Sequence, residues 1–199
     1  MQTRSEKTQK QIMKSAVAEF SRSGYDATSV SHICLKAGVS KGAFYHHFPS
    51  KQALFLAIMQ DWMRGIDTRL FSKRTAEKTV PQTIQDMGST LGIIFKVASG
   101  QLPMFMEFMI QASRDKAVWS AVIAPYRQYQ QVFAGLINKG KEEGSFRADA
   151  EAEETAWVLM SMAVGILLQG VVDPGAANWD SVTKKGVQTM LDGLQRSKE

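Results

Sequence analysis

A chain of 199 residues, 44% of them hydrophobic, is long enough to bury a real core as one domain or two small ones. No apolar run is expected to reach membrane-spanning length, and the start, Met-Gln-Thr-Arg-Ser-Glu-Lys, lacks a signal-peptide hydrophobic region, which together argue against a membrane partner. The single cysteine, Cys34, excludes an internal disulfide and fits a reducing, cytoplasmic setting.

Thr3 and Glu6 have the spacing of a capping box, and Ile12, Met13, Ala16, Val17 and Phe20 then share one helical face up to Gly24. Ser29 is placed to cap a second helix, with Val30, Ile33, Cys34 and Ala37 on its apolar side. Cys34 reads there as core packing rather than as a redox sensor. Gly38 stands where a left-handed residue ends a helix without a Cβ penalty, Val39 plugs the corner, and Ser40 caps a third helix. Phe44 and Phe48, four apart, face inward, leaving Lys41, Gly42, Ala43, Tyr45 and His46 on or beside the outward face. Two short helices meeting at a glycine turn form the pattern of a helix-turn-helix, whose second helix lies in a DNA major groove. Small side chains at Gly42 and Ala43 allow close approach to base edges.

Charge supports that reading. Residues 1–51 hold eight Lys or Arg against Glu6, Glu19 and Asp26, a surplus equal to the formal net charge of +5 for the whole chain. A basic head on a neutral body suits a DNA-binding protein. Catalytic patterns are missing by contrast. His32, His46 and His47 all fall inside this window, His46 and His47 point about 100° apart on a helix, and no metal-ligand spacing, phosphate loop or nucleophile elbow is present, so no enzyme, metal or cofactor is expected.

Three blocks carry a resemblance: Gly24-Tyr25-Asp26-Ala27-Thr28-Ser29-Val30, Ala37-Gly38-Val39-Ser40-Lys41-Gly42, and Phe44-Tyr45-His46-His47-Phe48-Pro49-Ser50-Lys51. In order and spacing they resemble the N-terminal domain of TetR-type transcriptional repressors, across roughly residues 5–62. Residues 165–174, Gly-Ile-Leu-Leu-Gln-Gly-Val-Val-Asp-Pro, resemble a common C-terminal helix ending of the family. His32 departs from the pattern, since members often carry an acid there. The resemblance implies that Tyr45 and Lys51 contact phosphate, Lys51 aided by the positive end of its helix. Lys41 and Ser40 would work at base edges or backbone, and Thr28, Ser29 and Ser31 at the backbone or neighbouring groove edge.

Beyond the head everything reads as helix, so the expected fold class is all-α, with no internal repeat and no strand signal. Residues 1–50 form the helix-turn-helix domain, 50–71 a connecting helix, and 72–199 a ligand-binding and dimerisation domain, with 72–80 as linker. Helices are expected over 81–97, 102–113, 116–142 (kinked or split at Pro125), 152–171 and 178–195. Met104, Phe105, Met106, Phe108 and Met109 make one helix apolar nearly all round. Methionines and aromatics here, Met87, Phe95, Met104, Phe105, Phe108, Met109, Trp119, Tyr126, Phe133, Trp157 and Met160, suit core packing or an adaptable apolar cavity. The resemblance favours a cavity for a small hydrophobic effector, with Glu107, Gln111, Arg114 and Gln130 as candidate polar contacts. The last two helices each carry apolar stripes, and Trp157, Ile166, Leu167, Val182, Met190, Leu191 and Leu194 are expected at a homodimer interface. Two-fold symmetry would let paired heads read a palindromic operator in double-stranded DNA.

The expected function is a sequence-specific, cytoplasmic transcriptional regulator, a repressor released by a small hydrophobic ligand. An activator or architectural DNA binder, and a ligand-sequestering helical protein, stay open as alternatives.

Overall fold

A computed structural model describes residues 4–71, 77–98 and 102–195, with 71, 91–98 and 102 described by backbone alone. Thr3 and most of the expected linker lie outside the described residues. Nine helices and no strand occur among them: α1 (Arg4–Ser23), α2 (Val30–Ala37), α3 (Lys41–His47), α4 (Lys51–Phe71), α5 (Val80–Ala98), α6 (Leu102–Ala112), α7 (Lys116–Glu142), α8 (Ala152–Val172) and α9 (Trp179–Leu194). The all-α expectation holds, and most helix ends fall within a residue or two of the expected ones. Pro125 does not split its helix: α7 runs through it for 27 residues, although a proline there leaves the Ala121 carbonyl without its usual amide donor.

Packing divides the chain into two compact units, and the division is not the contiguous one expected at residue 72. The first unit comprises Met1–Arg64 and Gly100–Val122, the second Gly65–Ser99 and Ile123–Glu199. The physical reason is α6. Its Met104 and Phe108 are buried in one cluster with Ile12, Ala16 and Phe20 of α1, Ile33 of α2, Phe44 of α3 and Leu54 and Phe55 of α4. Phe108 stacks on Phe55 with centroids 3.8 Å apart and planes 17° apart. Tyr25 stands edge-on to both, at 5.1 Å from Phe108 and 5.4 Å from Phe55. Each such ring contributes about 1.5–3 kcal/mol through burial, which is enough to hold α6 on the helix-turn-helix core.

In the second unit α5, α8 and α9 pack together around a cluster that includes Met87, Phe133, Ile137, Phe146, Met160, Val187, Leu191 and Leu194. Here two expectations are corrected. Leu191 and Leu194, expected at an interface between copies, are buried within the chain with Val187 and Thr183 on the inward side of α9. And α8, 21 residues long with an 18-residue stretch of mean hydropathy 1.9, is long and apolar enough to cross a membrane by length and composition, against the expectation that no run reaches that length. Its buried side, Ala156, Leu159 and Met160, is spent on the unit's own core, while Val158 and Val164 stay exposed.

Candidate nucleic-acid interface

Local chemistry builds the helix-turn-helix. Ser29 adopts an extended backbone and its hydroxyl oxygen accepts the His32 amide at 3.2 Å, capping α2. His32 therefore costs the cap nothing. Gly38 closes α2 at φ +63°, with its amide donating to the Leu35 carbonyl at 3.2 Å and the Val39 amide to the Cys34 carbonyl at 3.0 Å. Those paired bonds terminate the helix within one residue. Ser40 then repeats the Ser29 device, its hydroxyl oxygen accepting the Ala43 amide at 3.1 Å. Cys34 is buried, and burial pushes its thiol pKa up, which fits packing rather than reactivity.

On α3 the two faces separate cleanly. Phe44 and Phe48 are buried, whereas Lys41, Gly42, Tyr45 and His46 are exposed and Ala43 is half-buried. A Cβ added to Gly42 would meet nothing closer than Ser40 Oγ at 3.7 Å, so nothing inside the fold requires glycine there. Ser29 and Ser31 are also exposed at the start of α2.

Two expected contacts face inward instead. Thr28 is 1% exposed, and its hydroxyl donates its one proton to the Gly24 carbonyl at 2.7 Å, with the Glu19 carbonyl sharing it at 3.2 Å. Lys51, expected at a DNA phosphate, donates from Nζ to the carbonyls of Tyr25 at 2.8 Å, Thr28 at 3.0 Å and Asp26 at 3.4 Å. Three acceptors match its three protons. Burial pulls its pKa below the ordinary lysine value, opposed by the Asp26 and Glu107 carboxylates. Lys51 is thus a pin on the turn between α1 and α2.

The polar residues of α6 meet the same turn. Glu107 accepts the Tyr25 and Asp26 amides at 3.0 and 3.1 Å, and Gln111 donates to Asp26 at 2.5 Å. By sequence both suit an effector cavity, and the structure spends them on the turn instead. Nothing in the sequence marks them for this role, since they are more than 80 positions from their partners and follow no periodicity.

The expected cavity residues do not form one group. Met104 and Phe108 fill the core of the first unit, with Phe105, Met109 and Trp119 packed against it, and Phe105 lies 5.6 Å from Trp62, ring to ring. Met87, Phe133 and Met160 belong to the second unit's core, with Tyr126 packed on it and 5.9 Å from the Trp157 ring. Phe95 lies in α5, its side chain outside the described residues. In the second unit Tyr129 donates to Asp67 at 2.5 Å, and burial first, then Asp67, raises the pKa of its hydroxyl.

Of the expected interface residues, Trp157 and Val182 are exposed, and Ile166, Leu167 and Met190 are half-buried. Val182 and Met190 line an open, largely apolar groove of about 720 Å³ between α8 and α9, completed by Val158, Met162, Ser181, Lys185, Gly186 and Thr189.

The sequence matches two family descriptions that between them cover most of its length. Residues 12–58 match the bacterial regulatory proteins of the tetR family, and residues 98–195 match the BetI-type transcriptional repressor C-terminal domain. The chain belongs to the TetR family. Among relatives of this TetR-family regulator, the HTH-type transcriptional regulator UidR of Escherichia coli strain K12 is 25% identical over 98% of this chain and 96% of its own length. The HTH-type transcriptional repressor KstR2 of Rhodococcus jostii is 24% identical over 92% of this chain and 89% of its own. A regulator from Saccharomonospora viridis, solved in complex with choline, shares the fold at a TM-score of 0.79, with 16% identity over 96% of this chain and 99% of that one. The family is one of helix-turn-helix transcription regulators, not of enzymes.

Proposed function

We propose that this regulator represses transcription by binding a palindromic DNA operator as a homodimer, and that a small hydrophobic effector releases it. The observation that carries the reading is α3: an exposed strip of Lys41, Gly42, Tyr45 and His46 on a helix anchored by buried Phe44 and Phe48. A cation, an approachable backbone and a phenol on one face are what groove entry needs. Lys41 serves a base edge or phosphate, Tyr45 and Ser40 the backbone, and Ser29 and Ser31 the adjoining groove edge. Lys51 and Thr28 serve by holding the turn that launches α2.

A second copy docks on the α8–α9 face. Exposed Trp157, Val158, Val164 and Val182 continue the apolar groove, and two such helices meeting their twins form a four-helix contact. The effector site belongs to the second unit, where Met87, Tyr126, Phe133, Trp157 and Met160 supply adaptable apolar walls. The Tyr129–Asp67 pair supplies polar contact there. Choline in the Saccharomonospora viridis protein supports a small-molecule site in this fold, and KstR2, named a repressor, supports the sign of regulation. A regulator of this kind works in the cytoplasm, where the chromosome is.

The test is selection of bound genomic fragments by purified protein at two salt concentrations, repeated with a panel of hydrophobic compounds. The reading expects a short palindrome at both salts and its release by one compound class. Recovery of only salt-sensitive, unrelated fragments would overturn it.

A further inference from the structure

Two successive amides of the turn between α1 and α2 are held by one carboxylate. Glu107 Oε2 accepts the Tyr25 amide at 3.0 Å while Oε1 accepts the Asp26 amide at 3.1 Å. Gly24, just before them, has φ +83°, and a Cβ there would lie 2.9 Å from Glu107 Oε2. The left-handed backbone at Gly24 is what favours glycine there, and a Cβ would in addition crowd the docked carboxylate. One helical turn along α6, Gln111 donates to the Asp26 carboxylate at 2.5 Å, and between them Phe108 is buried against Phe55 and Tyr25. Lys51 grips the carbonyls of the same turn. Charge-assisted bonds to two successive amides fix two peptide planes at once, and the turn runs directly into Thr28 and the Ser29 cap of α2.

We propose that Glu107 is a positioning residue for operator binding. Its carboxylate sets where the turn lies, and so where α2 and the α3 reading face lie, from a helix outside the helix-turn-helix. The family descriptions place Glu107 in the C-terminal domain (98–195) and the turn in the N-terminal one (12–58), so this contact makes operator affinity a property of both. The inference rests on the operator-binding reading above.

Charge alone predicts the opposite outcome. Removing an acid from a DNA binder strengthens attraction to phosphate, and Glu107→Ala and Glu107→Gln remove it equally. Positioning predicts that full-length Glu107→Ala loses about fivefold or more in operator affinity. Its affinity for unrelated duplex and its helical circular dichroism stay at wild-type values, and its Tyr25 and Asp26 amides exchange faster. Glu107→Gln keeps one carbonyl acceptor and recovers part of the loss. Operator affinity of Glu107→Ala equal to or above wild type would overturn the proposal, as would a loss that Glu107→Gln does not relieve. A wild-type protein that binds no operator would instead overturn the functional reading itself, and this proposal with it.

Discussion

The Lys51 ammonium stands 4.3 Å over the Tyr25 ring centroid while donating to the Tyr25 carbonyl at 2.8 Å. Ring and carbonyl of one residue thus hold a cation that the family resemblance places at a DNA phosphate. Lys51→Met keeps the aliphatic stem and removes those bonds. It is expected to lower unfolding stability by about 1–3 kcal/mol, read by urea denaturation. The slope of log affinity against log salt for unrelated duplex should stay unchanged, because no phosphate contact is lost. A slope smaller by about one unit would restore Lys51 to the DNA.

Gly42 separates folding from recognition. Alanine fits the space and is the better helix former, so Gly42→Ala should raise stability by up to about 1 kcal/mol. The added methyl sits on the exposed face of α3, and operator affinity should fall. Thermal melting and operator titration on the same preparation read both signs.

Tyr45 presents its phenol at 53% exposure. Tyr45→Phe removes one hydroxyl donor and leaves the ring, so binding to all sequences should weaken by about 1 kcal/mol, roughly fivefold. A change confined to one operator position would make Tyr45 a base reader.

Tyr25 gives the fold a pH signature. Burial first, and then the Asp26 carboxylate, push its pKa from 10.0 to about 12. A raised pKa means that the unfolded tyrosine ionises first as pH rises. The stability associated with Tyr25 is therefore complete below pH 10 and is lost as pH climbs toward 12. Wild type should lose more stability than Tyr25→Phe between pH 9 and pH 11, read by chemical denaturation at each pH. Equal losses would contradict the assignment.

Val158 and Val182 line the open groove between α8 and α9 and contribute nothing to the buried core. Val158→Glu with Val182→Glu should leave helical content intact and convert dimers to monomers, as sedimentation would show. An unchanged mass would place the interface elsewhere.

The helix-turn-helix was legible because its determinants are local. Ser29, Gly38 and Ser40 act on residues at most four or five positions away, and Phe44 and Phe48 obey the helical period. Lys51, Glu107 and Gln111 act on one turn from 23 to 85 positions away, and no pattern in the sequence reports such contacts. Amphipathic reading failed differently on α9. It found the apolar residues but not their division, which sends Val187, Leu191 and Leu194 inward and leaves Val182 and Met190 at the groove. On α6 the cover is the α1–α4 core rather than a separate body, and it reaches Met104 and Phe108 while Met106 and Ile110 stay exposed. A contiguous reading of the sequence separates α6 from the head, and packing joins the two where Phe108 meets Phe55.

The central claim is that α3 reads DNA through its exposed strip. The direct measurement is the affinity of Lys41→Ala with Tyr45→Phe for a recovered palindrome and for unrelated duplex, at two salt concentrations. The account predicts an intact helical fold, a loss of operator affinity of at least tenfold, and a smaller loss on unrelated duplex. Wild-type affinity for the palindrome in that double variant would contradict it.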